Sequence, residues 1–334
     1  MAEVYRAVFI SPHLDDAVFS CGAEIDRLVT EGPVLVINLF SRFVGEVRRH
    51  GVVLGPERRG EELAAARFLG FETRSLDGLD ASCRLPAYRA LGNLFKPPQA
   101  GDLAGLAVLR ETLFGLLAGL RYRCLYVPLA IGWHVDHVLT YRIFEPWIGL
   151  REDLLFYEDL PYGLMPHAAS WRLAELGPSI ANAEPPARLW LAWREAARAY
   201  ADTAMMRRLE PKILRVAARP VVSFYLLRLM AFHQRQARRG KLPALAWAPR
   251  PGSPGLSEGR LRRKLQAMML YRSQFQAFFL DAQDCRRQMA RYASTWAQDA
   301  VAVERYWHAT VASTAGLPDP RSEGLPVPRQ APDG

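Results

Sequence analysis

A three-layer α/β fold with a mainly parallel, Rossmann-like sheet is the fold class this sequence predicts, and three observations predict it. Short, partly β-branched strand candidates recur at residues 4–10, 34–40, 73–76, 124–127 and 154–157, all but the third of them mainly apolar. Longer stretches with apolar residues at helical spacing lie between them, which is the alternation of a βαβ chain. The first and fourth runs are broken by Pro12 and Pro128, and each break is followed by a cluster of ionisable residues. Open α/β sheets gather ligands at such strand ends.

The first run ends at Ser11, and Ser11-Pro12-His13-Leu14-Asp15-Asp16 then packs an imidazole and two carboxylates into four consecutive positions. Asp15 or Asp16 suits the N-cap of a helix whose apolar face is Ala17, Val18, Ala23, Ile25, Leu28 and Val29. The second run leads to Arg42, and the third to Asp77-Gly78-Leu79-Asp80-Ala81-Ser82-Cys83-Arg84. In these loops Arg42, Asp80 and Arg84 are placed to hydrogen-bond a substrate's hydroxyls; an internal ion pair that orders the loop is the competing use. The fourth run precedes the loop Gly132-Trp133-His134-Val135-Asp136-His137, with helical periodicity over 138–148. Two strand ends therefore each present a His/Asp cluster. Imidazole and carboxylate suit zinc, whose catalytic sites keep three protein ligands and one open position. His13, Asp16 and His137 complete that count, although spacing alone leaves open which of Asp15 and Asp16 is ligand and which is base.

Pro-His-x-Asp-Asp after the first strand, with His-x-Asp-His far downstream, resembles the PIG-L/LmbE-like family of zinc-dependent de-N-acetylases, which remove acetyl groups from N-acetylglucosamine-type amino sugars. Three further segments extend the likeness to about residues 4–280. They are the Arg/Glu-rich stretch 56–70 ending in Leu69-Gly70, the run Tyr157-Glu158-Asp159-Leu160-Pro161-Tyr162, and a closing helix from Lys264 through Tyr271-Arg272-Ser273-Gln274. The resemblance implies an LmbE-like fold and a site in which His13, Asp16 and His137 hold Zn2+ or another divalent transition metal. It assigns Asp15 as general base, since a zinc-bound water has its pKa lowered to about 7 and a neighbouring carboxylate need only shuttle its proton. His134 is then free to donate to the oxyanion or to the leaving nitrogen. Asp136 is expected to hydrogen-bond His134 and raise its pKa so that it stays protonated. Gly132 departs from the pattern, because some members carry a substrate-contacting tyrosine there; Tyr162 is the candidate stand-in, with a purely structural role as the alternative. The implied substrate is an N-acetylated amino sugar or a conjugate containing one, phosphate- and lipid-linked forms included. The competing readings are an amidase acting on a non-sugar amide in specialised metabolism and a metal-retaining scaffold protein without catalysis.

Composition sets the frame around this site. The chain has 334 residues, half of them apolar, enough for a full core in one elaborated domain. That domain is expected over 1–280, with a helical insertion at about 165–255, a C-terminal helix over 281–312 and a Pro/Gly-rich disordered tail over 313–334. Cys21, Cys83, Cys124 and Cys285 form no Cys-x-x-Cys pair, which argues against a disulfide framework and a structural zinc site. No apolar run approaches about 18 residues, and the first strand begins within a few residues of Met1, so neither a transmembrane segment nor a signal peptide is expected and a cytoplasmic protein is the default.

Charge is unevenly placed. Between Met205 and Lys264 fifteen Lys/Arg face two acidic residues, which leaves the rest of a chain of net charge +9 slightly acidic. This basic stretch follows apolar residues at helical spacing from Leu189 to Tyr200 and continues through Ile213, Leu214, Phe224, Leu226, Leu229 and Met230. Pro211 and Pro220 are expected to divide it into separate helices, and 243–254 reads as a loop. Such a cap serves as a solvated cover, as a steering surface for a phosphate-bearing sugar, or as a peripheral contact with anionic lipid. No nucleic-acid recognition motif accompanies the charge.

Overall fold

The chain was analysed as a computed structural model that describes residues 4–45, 47–49, 52–177, 189–239, 245–250, 255–297 and 300–311. Seven strands make the central sheet: β1 (Ala7–Ser11), β2 (Val34–Asn38), β3 (Glu72–Ser75), β4 (Leu125–Pro128), β5 (Leu154–Tyr157), β6 (Leu245–Pro249) and β7 (Tyr306–Val311), in the spatial order β6-β7-β5-β4-β1-β2-β3. The five expected runs supply β1 to β5, all parallel, and β7 runs antiparallel to both β5 and β6. The first run is interrupted at Arg6, so Val4–Tyr5 pairs separately with Arg121–Tyr122.

Strand period decides the layers. In β1 and β2 the residues Val8, Ile10, Leu35 and Ile37 point to one face, where α4 (Ala100–Ala118) and α5 (Val135–Phe144) bring Leu113, Leu117, Leu139 and Ile143. Ala7, Phe9, Val34 and Val36 point to the other, against α1 (Asp16–Leu28), α2 (Glu57–Leu69), α10 (Glu258–Leu270) and α11 (Arg272–Phe278). Apart from the polar, largely exposed edge strand β3, the sheet is apolar on both faces because both are covered, as parallel sheets require.

Three late elements differ from the sequence reading. The stretch 243–254 contains β6, whose Trp247 is wholly buried, and Pro249 is tolerated as the last residue of an edge strand. The expected helix over 281–312 is split into α12 (Ala282–Ala293) and β7, because Tyr306 and Trp307 pair with Tyr157 and Phe156 of β5 rather than continuing a helical face. Pro220 does not break its helix: α9 runs unbroken from Lys212 to Arg239, its proline exposed, and packing on α6 (Ala168–Leu176) and α7 (Leu189–Ala201) outweighs the lost backbone bond. The cap proper is therefore α7, α8 (Ala204–Arg207) and α9. Residues 168–176 and 245–249, at the flanks of the expected insertion, belong to the main core. The tail from residue 312 onward lies outside the described residues. Among the described residues no helix is long and apolar enough to cross a membrane.

One buried ion pair ties the late helix to the early one. Lys264 on α10 is fully buried, and its Nζ donates to Glu304 Oε1 at 2.6 Å and to the Ser20 carbonyl at 3.2 Å. Glu304 also accepts from the backbone N–H groups of Ala23 and Glu24, both at 2.9 Å. Breaking such a pair strands a buried charge, so Lys264→Ala is expected to lower the unfolding free energy by about 3–5 kcal/mol in urea denaturation; a loss below about 1 kcal/mol contradicts this account.

Candidate active site

The carboxyl ends of β1, β4 and β5 converge, and each delivers an ionisable side chain to one buried centre. After β1, Ser11 Oγ donates to the His13 carbonyl and accepts from the Ala17 N–H, which fixes the turn into α1. Asp16 Oδ2 accepts from the His13 backbone N–H at 2.8 Å and stands 3.0 Å from His13 Nδ1. Asp15 adopts φ 138, a strained backbone for a residue with a Cβ, at a cost of order 1–3 kcal/mol. Its carboxylate makes no N-cap bond; Oδ1 accepts from the guanidinium of Arg58 at 2.8 Å. After β4, His134 is the N-cap of α5, which puts Asp136 and His137 in the first helical turn rather than in a loop.

Each of the two imidazoles expected to bind metal is held by a carboxylate on its far nitrogen. His13 Nε2 bonds Asp136 Oδ2 at 3.0 Å, and His137 Nδ1 bonds Asp159 Oδ1 at 2.6 Å, with Asp159 lying just beyond β5. That leaves His13 Nδ1 and His137 Nε2 facing Asp16 Oδ2, at 3.0 and 3.3 Å. His137 Nε2 is buried without a hydrogen bond despite that proximity. Two donors each 2.0–2.1 Å from a tetrahedral ion stand about 3.3 Å apart, so these atoms fit a single small divalent cation. Atoms of His13, His134 and His137 also lie within 4.8 Å of one another.

The electrostatics favour a cation at the centre. Burial lowers the pKa of His13, but its bonds to Asp136 and Asp16 more than offset this and hold it well above the usual imidazole range. Burial likewise opposes His137, and the charge of Asp16 with the Asp159 bond lifts it to about 9. Burial would raise Asp16, yet His137 and His13 hold it well below the carboxylate range. Asp15 goes the other way: burial and the charge of Asp16 push it up to about 7, with Arg58 restraining it.

Asp136 and His134 differ from expectation. The Asp136 carboxylate turns away from His134 to His13, to the Ala81 N–H at 2.9 Å and to Arg84 at 2.7 Å. His134 Nδ1 instead accepts from the Asp136 backbone N–H at 3.3 Å, so its Nε2 carries the proton. Burial and the neighbouring His13 lower its pKa to about 3, leaving a neutral imidazole rather than a protonated one.

A cavity of about 630 Å³ opens over this centre, and His13, Asp15, Asp16, Asp80, His134 and Tyr162 line it. Tyr162 packs edge-on against His137 at 5.4 Å and lies over Gly132, where an added Cβ would stand 2.5 Å from its Cγ. The space that a side chain at position 132 would take is thus occupied by the Tyr162 ring. Asp80 caps α3 (Ala81–Arg84) through the Ser82 N–H and reaches 3.6 Å from His13 Nε2. Arg84 does not face the cavity; it is an internal clamp whose guanidinium binds Asp136, Asp102 and the Leu79 carbonyl. Arg42 is exposed, and its backbone bridges Leu79 instead of meeting the site. Sequence reasoning missed the roles of Arg58 and Asp159. A carboxylate directly after an apolar strand was the available signal for Asp159; nothing local marks Arg58.

Residues 8–148 match the family model described as PIG-L, GlcNAc-PI de-N-acetylase. The chain is 32% identical over 164 residues to a 2'-N-acetylparomamine deacetylase of Streptomyces fradiae, covering 47% of this chain and 57% of that protein. It is 28% identical over 205 residues to the protein of the same name from Niallia circulans, covering 52% and 74%. The chain thus spans little more than half the length of the Streptomyces relative. Among solved structures, the zinc-inhibited form of teicoplanin deacetylase Orf2 superposes with a TM-score of 0.57 at 17% identity, covering 93% of this chain and all of that one, a likeness of fold.

The different environments of the two arginines give a direct check. Arg84→Ala leaves Asp136 and Asp102 buried without their cation and is expected to cost about 3–5 kcal/mol in denaturant unfolding. Arg42→Ala, at an exposed position, is expected to stay within about 0.5 kcal/mol of the parent.

Proposed function

We propose that this chain, whose residues 8–148 carry a PIG-L family de-N-acetylase domain, is a metal-dependent hydrolase that removes the N-acetyl group from an amino-sugar conjugate. The observation that carries the reading is the convergence of His13 Nδ1, Asp16 Oδ2 and His137 Nε2 at metal-ligand spacing beneath a cavity that Asp15 and His134 also line. The curated relatives are named for deacetylation of 2'-N-acetylparomamine, which supports an N-acetylated amino sugar as the substrate class.

His13, Asp16 and His137 would hold the ion, with Zn2+ the first candidate. When bound, a divalent ion supplies a Lewis acid for the amide carbonyl and makes a water acidic near neutrality. The work of the chain's own residues follows from their environments. Asp15, poised near neutrality and tethered through one oxygen to Arg58, takes the proton of the attacking water and returns it to the departing nitrogen. The C–N bond breaks, and acetate and a free amine result. His134, neutral with its proton on Nε2, donates to the oxygen that gains charge as the carbonyl becomes tetrahedral. It therefore acts as a fixed dipole rather than as a charged acid. Asp136 and Asp159 are positioning residues that fix the tautomers of the two imidazoles.

The test is acetate release from a panel of N-acetylglucosamine conjugates, 2'-N-acetylparomamine and simple non-sugar acetamides, with metal titrated rather than added in excess because a zinc-inhibited form of one neighbour exists. Asp15→Asn is expected to retain stoichiometric metal and lose about 10²–10⁴ in kcat, whereas His137→Ala loses both metal and turnover. Near-normal turnover by metal-loaded Asp15→Asn, or turnover of the non-sugar amides alone, overturns the reading.

A further inference from the structure

We infer that His233 of the cap helix α9 is a positioning residue for the reaction, one that holds His134 at its working angle through two neighbours of that imidazole, Trp133 and Phe95. This rests on the hydrolase reading, in which His134 donates to the developing oxyanion, and adds to it a residue far outside the family-matched segment 8–148.

The cap helix gives almost none of its surface to the interior. Of residues 212–235 in α9, His233 alone is buried, at 4% exposure. A polar ring is costly in such a place unless its donor is met. Here it is met: Nε2 donates to the Phe95 carbonyl at 3.0 Å, and the ring lies flat on the Trp133 indole, centroids 3.9 Å apart. Both contacts lead to His134. Trp133 precedes it in the chain and holds a left-handed backbone, φ 57, while the Phe95 ring meets the His134 ring edge-on at 5.9 Å and the Tyr162 ring at 6.1 Å. His134 has little of its own to fix its angle. Its Nδ1 accepts from the Asp136 N–H at 3.3 Å, longer than the roughly 2.7–3.2 Å usual for a backbone donor. The direction of its Nε2–H is therefore set by the groups packed around it. His13 and His137, at 5.1 and 5.4 Å, are tied to carboxylates of the core, whereas Phe95 and Trp133 are both tied to one imidazole of the cap. A donor aimed at an oxyanion is sensitive to such ties, since a misplacement of about 1 Å costs about 10²-fold in rate.

The experiment uses the full chain loaded with stoichiometric metal and the substrate of the acetate-release panel that it turns over fastest. His233→Ala is expected to lower kcat about 10- to 100-fold, with KM within about threefold of the parent and the metal retained. His233→Phe, which keeps the stack, and His233→Gln, which keeps a donor for Phe95, are expected to lose less than His233→Ala. The cycle with His134→Ala separates positioning from general support of the fold: once His134 is gone, His233→Ala is expected to cost no more than about threefold further. Parent-like kcat in His233→Ala, or losses that multiply in the double variant, overturn the proposal and leave the hydrolase reading intact. Nitrogen NMR of the imidazoles reads the same tie without turnover. A His134 ring protonated only on Nε2 in the parent and divided between tautomers in His233→Ala sustains the proposal even where no panel member releases acetate and the hydrolase reading fails; unchanged His134 shifts in that variant overturn it.

Discussion

The carboxylate of Asp136 has no exposed surface, and three donors from two segments end on it: His13 after β1, and the Ala81 N–H and Arg84 at the two ends of α3. A buried charge of this kind is costly unless all its acceptor capacity is met. Its position therefore fixes theirs. Because Asp136 sits in the first turn of α5, the end of β4 and the end of β1 cannot move apart without stranding that charge, and the short α3 cannot leave without taking Arg84 with it. His13 and His137, 124 residues apart in the chain, are brought to a ring-centroid separation of 5.4 Å by this network and by Asp16 between them.

The same logic explains why the site's protons are assigned before any substrate arrives. A carboxylate on the far nitrogen of each imidazole holds a proton there, so a cation at the centre competes only with the proton on the near nitrogen, which the raised pKa of each ring retains near neutrality. The two near nitrogens and the Asp16 oxygen face one point, which favours positive charge there, whether a cation or the protons of the imidazolium rings. Asp15 escapes this pairing because its backbone is turned to φ 138, which sends its side chain to Arg58 instead of to the helix N-terminus it would otherwise cap. Two adjacent aspartates thereby acquire opposite characters: Asp16 held ionised between imidazoles, Asp15 pushed toward neutrality by burial.

Much of this was legible in the sequence because strand ends announce themselves. Pro12 and Pro128 mark where two buried runs stop, and the period of the intervening segments gives the crossovers, so the five parallel strands and the location of the His/Asp clusters follow from local pattern. The partners of those clusters did not follow. Asp136 was expected to serve His134, its neighbour two residues away, but in a helical first turn its side chain swings to His13, beyond the end of the adjacent strand β1. Arg84 was equally suited to a sugar hydroxyl or to an internal carboxylate, and only the three-dimensional approach of Asp102 and Asp136 decides between them. The late strands were hidden for a related reason: β6 is bounded by Pro- and Gly-rich sequence, and β7 finds its pairing only against strands already in place.

The cap was read from periodicity alone, yet its effect on the site comes through one stacked pair. His233 of α9 lies on the indole of Trp133 with ring centroids 3.9 Å apart and planes 13° from parallel, and its Nε2 bonds the Phe95 carbonyl at 3.0 Å. Burial keeps that imidazole neutral by lowering its pKa to about 4. Trp133 in turn donates to Glu175 of α6 and immediately precedes His134, in a loop where Ala130, Gly132 and Trp133 all have positive φ. A loop with that much backbone strain holds its shape only if its side chains are braced from outside. The brace here is α9 together with Glu175 of α6, so a displacement of α9 is also a displacement of the residue that precedes His134. α9 and the loop that carries His134 are thus packed as one unit.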